Sequence, residues 1–192
     1  QHRADRADRT DRVILAELAA HARAGMPEML QFGSLASAHQ YLALYRLWRR
    51  HVPAGAEVLD WGAGNGHFSY FLARAGYRAT GFSFMPFSYE SYLPKGAPYR
   101  YVPGSEREPV KLPFADASFD AVASIGVLEH VRETGGNEPG SLAEIARVLH
   151  RPPTAEAGGA GGPSAAETEA LLDELGRVMT VAHGLDHDHP VV

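Results

Sequence analysis

Two rhythms of apolar residues run along this chain. Over residues 35–51, Tyr41, Leu44, Tyr45 and Trp48 recur at i, i+3, i+4 and i+7, the spacing of one helix face. Arg46, Arg49 and Arg50 fall mostly off that face, and Pro53 ends the helix. Residues 1–25 show a weaker version. Val13, Leu15, Leu18 and Ala19 give a short apolar face behind a mixed-charge stretch, and Asp5/Arg9 and Asp8/Arg12 are spaced for ion pairs along one helix side. Residues 1–10 read as a solvated helix or frayed arm.

The second rhythm is that of strands. Val58-Leu59 is a short apolar run closed by Asp60, followed by Gly62, Gly64 and Gly66 and then by a helical stretch from His67 to Ala75 with Phe68, Phe71, Leu72 and Ala75 on one face. Gly76 is a natural cap for that helix. Tyr77 to Phe84 predicts a second strand, and Phe87 to Tyr92 a short helix. Tyr99 to Val102 predicts a third strand. Phe119 to Gly126 is nearly all apolar, as in a central parallel strand buried on both faces. Ser141 to Leu149 predicts a helix with Leu142, Ile145, Ala146 and Leu149 inward. Strand, glycine turn and helix in that order predict an α/β fold with its ligand crevice at the strands' carboxyl ends.

Beyond residue 150 the pattern changes. Residues 151–166 are rich in Ala, Gly and Pro and read as a linker. Thr168 to Val178 predicts a helix with Leu171, Leu172, Leu175 and Val178 on one face, and Met179 to Ala182 a short strand. The organisation expected is therefore N-terminal helices over 1–54, a core over 55–150, a linker over 151–166, and a final helix and strand over 167–192.

Composition narrows the function classes. The 192 residues suit one domain with a sizeable core, and 45% hydrophobic content is ordinary for a globular protein. A net charge of −5 argues against a nucleic-acid partner. There is no cysteine, which excludes disulfides and thiolate metal sites and fits a reducing compartment. No apolar run approaches membrane-spanning length, and the N-terminus lacks the apolar core of a signal peptide. The expected location is cytoplasmic, with no membrane partner. A chain starting at Gln1 points to a trimmed or partial polypeptide. His183, His187 and His189 with Asp186 and Asp188 hold metal-ligating atoms, but nothing fixes their geometry, and the reading is a solvated tail without metal.

The glycine spacing separates nucleotide chemistries. A dinucleotide fingerprint G-x-G-x-x-G counted from Gly62 needs glycine where His67 stands, and no Lys follows as in a phosphate loop. The pattern present is Asp60-x-Gly62-x-Gly64-x-Gly66. It resembles the first motif of class I S-adenosylmethionine-dependent methyltransferases. Leu112-Pro113-Phe114-Ala115-Asp116-Ala117-Ser118-Phe119-Asp120 and Val127-Leu128-Glu129-His130-Val131 resemble two further segments of that family, in the same order.

The resemblance covers residues 55–150 and implies a doubly wound, mostly parallel Rossmann-like sheet binding S-adenosylmethionine, with the N-terminal helices as a lid. It implies a cofactor site of Asp60, Gly62, Ala63, Gly64 and Gly66 for the methionine portion and ribose. Phe82 and Ser83 join it from the second strand and Ile125 from the fourth. Glu108 matches the family's acid at the adenine amine, with Pro109 against the ring. His130 is the candidate base for an acceptor that must lose a proton. Two positions depart from the pattern. Ser83 stands where the family has an acid for the ribose hydroxyls, and no apolar fifth strand directly follows residue 150. The expected function is methyl transfer to a small-molecule acceptor, with a homodimer paired through the uncovered strand edge as the candidate assembly. The alternatives are a non-catalytic scaffold of the same fold and an enzyme using another nucleotide.

Overall fold

A computed structural model describes residues 2–25, 35–64, 66–84, 93 and 95–149, without the side chains of 2–9 and 35–38. The expectations for a helix over 87–92, the linker over 151–166, the elements over 167–192 and the histidine-rich tail lie outside the described residues. Helix α1 spans His2–Arg23 and α2 spans Leu35–His51. Strand β1 is Glu57–Trp61, α3 is His67–Arg74, β2 is Arg78–Ser83 and β3 is Tyr99–Pro103. Strand β4 is Ala121–Ser124, a 3-10 turn covers Leu128–His130, and α4 is Glu138–Val148.

The four strands form one sheet in the order β3-β2-β1-β4, every neighbouring pair parallel. The chain builds outward from β1 through β2 to β3, then returns to the other side of β1 for β4. That reversal is the switch point at which open α/β sheets bind ligands, beyond the carboxyl ends of β1 and β4. The strand alternation divides the core in two. Val58, Ala79 and Ala123 face α1, α2 and α3, with Ile14, Leu18, Leu42, Tyr45, Phe68 and Phe71. Leu59, Trp61 and Phe82 face the other side, with Leu112, Phe119, Val131 and, from α4, Ile145 and Val148.

Helix α3 is buried from His67 to Ala73, well beyond the single apolar face its sequence shows. The polar residues find partners on the helices above. The Tyr70 hydroxyl donates to Glu17 at 2.8 Å, and Arg74 donates to the same carboxylate at 2.7 and 2.6 Å. Arginines from α2 also turn inward: Arg46 and Arg49 each donate at 2.9 Å to Asp11 of α1, which is fully buried. A buried carboxylate is tolerated only when paired in this way.

The fourth strand differs from its sequence reading. Only Ala123 of β4 is buried, and among the described residues β4 pairs only with β1. The run begins late because Phe119 is engaged elsewhere. Its N–H donates to the Val148 carbonyl at 3.0 Å, and it forms a parallel bridge with Leu149. Leu149 is extended (φ −74°, ψ 138°), so the chain leaving α4 starts alongside the outer edge of β4.

Candidate functional site

The Asp60–Gly66 turn sits at the switch point. Gly62, Gly64 and Gly66 all have positive φ, +76°, +48° and +71°. L-residues carrying a Cβ resist that conformation, so the turn needs glycine. The N–H groups of Gly62 and Ala63 both donate to the Phe82 carbonyl, at 2.8 and 2.9 Å, and Gly66 N–H donates to the Ala63 carbonyl at 2.6 Å. The turn is thus tied to the end of β2. Gly62 has a second reason to be glycine: a Cβ there would lie 2.3 Å from a Val127 methyl in the loop after β4. Gly64 is different. A Cβ there would meet nothing nearer than the Gly62 carbonyl at 3.8 Å. Among the described residues nothing crowds that direction, which a ligand can approach.

Asp60, the last acid of β1 before the turn, is 3% exposed. Its carboxylate accepts the Ser69 hydroxyl at 2.6 Å and the Ser69 backbone N–H as well. Burial pushes its pKa up to about 6, partly offset by the Ser69 bonds. A carboxylate poised in this range needs little help from a cationic ligand to ionise fully.

The other sequence candidates are distributed around this centre. Ser83 ends β2 at 7% exposure, and its carbonyl accepts the Gly104 N–H at 2.8 Å and the Tyr101 hydroxyl at 3.2 Å. Phe82 turns its ring into the opposite core face, 5.9 Å from Phe84 and 6.0 Å from Phe114, so its contribution at the turn is its carbonyl. Ile125 packs against the helix-side core just past β4. Glu108 is exposed and pairs with Lys111 at 3.4 Å. Pro109 lies near Gly135 and Gly136 of the loop before α4. His130 is exposed on its 3-10 turn, with Nδ1 2.9 Å from Glu133. The hydrogen bond to Glu133, then that carboxylate's charge, raises the histidine's pKa.

Four residues escaped the sequence reading. Ser69 lies nine residues from Asp60 across the turn, with no periodic signal to link them. Val127 belongs to a recognised segment, but its packing on Gly62 had no local trace. Arg147 and Glu144 carried a visible i, i+3 charge pair, and they pin the 112–116 segment. Glu144 accepts the Leu112 N–H at 2.8 Å, and Arg147 donates to the carbonyls of Leu112 and Phe114 at 3.0 and 2.8 Å and to Asp116 at 2.8 Å. The hollow of about 510 Å³ over Val110–Phe114, Glu144 and Arg147 therefore borders a structural clamp. Among the described residues, no cluster of three His, Asp or Glu could hold a metal, and no helix is long and apolar enough to cross a membrane.

A parallel sheet wound in both directions from β1, with an acid and a left-handed glycine turn at its switch point, defines a nucleotide-type α/β domain. Comparison with known proteins narrows the class. A family model described as a methyltransferase domain matches residues 59–152. An uncharacterized methyltransferase of Mycobacterium sp. (strain JLS) is 34% identical over 128 residues, 62% of this chain. The chain spans about half the length of that curated relative, 50%. The Burkholderia thailandensis 1,6-didemethyltoxoflavin-N1-methyltransferase, solved with 1,6-didemethyltoxoflavin and S-adenosylhomocysteine, shares the fold. Its TM-score is 0.51 at 21% identity, covering 70% of this chain and 57% of that one. The chain thus carries a methyltransferase domain over residues 59–152, of the kind found in class I S-adenosylmethionine-dependent methyltransferases.

Proposed function

We propose that this protein binds S-adenosylmethionine over the glycine turn and transfers its methyl group to a small-molecule acceptor. The observation that carries the reading is the open backbone at Gly64 beside the buried Asp60 carboxylate, at the sheet's switch point. An ammonium and carboxylate on one ligand fit that pair of features. The amine would meet Asp60, and the α3 N-terminus, whose first amides lack intrahelical partners, favours the negative end. Gly62, Ala63 and Gly66 hold the turn's shape, Ser83 meets the ribose, and Phe82 anchors the turn through its carbonyl. Glu108 and Pro109 are the adenine contacts and Ile125 completes the crevice wall.

The bound sulfonium supplies both the methyl carbon and a neutral thioether leaving group, so the protein's task is alignment. As the acceptor's lone pair forms the new bond, the carbon–sulfur bond breaks and its electrons remain on sulfur. Where the acceptor carries a proton, His130 takes it. The pairing with Glu133 favours protonated His130, so the base must first exchange that partner or lose its proton. A small acceptor fits the chain's negative charge and the small ligand bound by the Burkholderia protein.

Calorimetric titration with S-adenosylmethionine, S-adenosylhomocysteine and NAD tests the reading. The first two are expected to bind and NAD to give no heat of binding. Saturable binding of NAD with none of the sulfur ligands would overturn it.

A further inference from the structure

Asp60 is held in a way that the family reading does not ask for. Its carboxylate is buried, and both hydrogen bonds described for it come from one residue, Ser69 of α3. Ser69 is 1% exposed and its hydroxyl is committed to Asp60. Its neighbours leave it room. Across the sheet Asp60 is flanked by Gly81 of β2 and Ala123 of β4, neither of which brings a charge. A Cβ at Gly81 would lie 2.5 Å from the Tyr99 hydroxyl of β3 and 3.2 Å from Ser69 Oγ. A side chain at 81 would therefore push on the serine that holds the acid. The charged and titratable groups on the packed elements are engaged elsewhere: Tyr70 and Arg74 of α3 donate to Glu17 of α1, Arg78 of β2 donates to Glu57, and the ring of His67, which opens α3, lies 5.2 Å from the Tyr41 ring of α2.

We propose that Ser69 is a positioning residue: its hydroxyl and amide fix the Asp60 carboxylate at the carboxyl end of β1, ionised and aimed for the ammonium group of the cofactor. The inference rests on the cofactor reading above. The physical argument is that hydrogen bonds to an ionised carboxylate favour the ionised form, and Ser69 supplies two where burial pushes the other way. One of them is the N–H of the third helical residue, a donor no helix carbonyl uses, so α3 and β1 are locked together through the same contact.

Ser69→Ala and Ser69→Thr test this, with the Asp60 carboxyl followed by carbon-13 NMR in ligand-free protein and ligand binding followed by calorimetry from pH 5 to 8. In Ser69→Ala the Asp60 titration is expected to move up by about one unit. The acid-side loss of S-adenosylhomocysteine affinity should move with it, giving roughly tenfold weaker binding where the wild type is just ionised. Ser69→Thr, which keeps the hydroxyl, should restore both. Methylthioadenosine, which lacks the amino acid, should bind both variants like wild type. An unchanged Asp60 titration, or equal losses for both ligands, would overturn the positioning role while leaving the cofactor reading intact. Wild-type protein that binds neither ligand would overturn both. If Ser69→Ala is not folded by near-ultraviolet circular dichroism, Gly81→Ala supplies the second perturbation, with the same expected shift and the same refuting result.

Discussion

The turn at residues 60–66 and the segment at 112–120 both resemble the same family, yet they are built for opposite purposes. The turn is backbone architecture: three left-handed glycines, amides tied to Phe82, and at Gly64 a point where, among the described residues, a Cβ would meet nothing nearer than the Gly62 carbonyl. The 112–120 segment is closed by side chains. Arg147 and Glu144 hold the backbone at Leu112 and Phe114, Ser118 donates to the Ala115 carbonyl at 2.6 Å, and the Phe114 and Phe119 rings meet edge to face at 5.0 Å. Asp120 then accepts the Glu57 N–H at 2.8 Å, at the end of β1 remote from the glycines. One segment braces the sheet at the start of β1; the other leaves it open at the finish. A recognisable motif can thus mark a place where the chain holds itself as well as one where it holds a ligand.

The contrast breaks most sharply at Gly64. Gly64→Val puts a branched side chain into the open space, so the fold should survive at a cost of about 1–2 kcal/mol from the φ of +48°. S-adenosylhomocysteine binding should fall at least about 100-fold, roughly 3 kcal/mol. Thermal unfolding and calorimetry on the same sample separate the two effects. Wild-type affinity in a folded Gly64→Val protein would move the ligand away from the turn.

The converse variant is Arg147→Met, which keeps the side-chain stem and removes the clamp. Losing several partly buried charge-assisted bonds should cost about 2 kcal/mol of stability in denaturant unfolding, with ligand affinity of the folded protein unchanged. The sign with pH follows from Glu144. The bond from Arg147, ahead of the Leu112 amide, holds its carboxyl below the ordinary range. That stabilisation is therefore present at neutral pH and lost as acid protonates Glu144. The difference between wild type and Arg147→Met should shrink in acid. A variant of full stability and impaired binding would mean that the clamp belongs to the site.

How legible each region was follows the range of its forces. Helix α2 was read to its ends, 35–51, because periodicity and Pro53 are local. The glycine turn was legible because its residue types are dictated by backbone angles. Tertiary terms were not legible. Asp11 reads as a surface acid on a mixed-charge helix, and its two arginines lie 35 and 38 residues away. The fourth strand was expected to be central and long, because apolar runs report burial without saying what provides it. Its first residues instead serve Val148 and Leu149. Among the candidate site residues, those in the turn stand together in the structure. Glu108 and His130 rest on the resemblance, since each is an exposed side chain whose described partner is a neighbour three residues on.

The smallest expected effect sharpens the comparison from inside the site, at Ser83. Its backbone is already fixed, because its carbonyl carries the Gly104 and Tyr101 bonds. A change of side chain therefore leaves the end of β2 in place. Ser83→Asp would set a carboxylate at a position only 7% exposed, so the free protein should lose stability through desolvation. In the complex, two ribose hydroxyls would donate to that carboxylate. Replacing a neutral hydrogen bond by charge-assisted ones should tighten binding by about 1 kcal/mol, or fivefold. The prediction is thus a pair of opposite signs, a lower melting temperature without ligand and a larger rise in it when S-adenosylhomocysteine is added. Thermal unfolding with and without ligand reads both. Weaker binding in the variant would place the ribose away from Ser83, and the end of β2 would then belong with the bracing elements of the sheet.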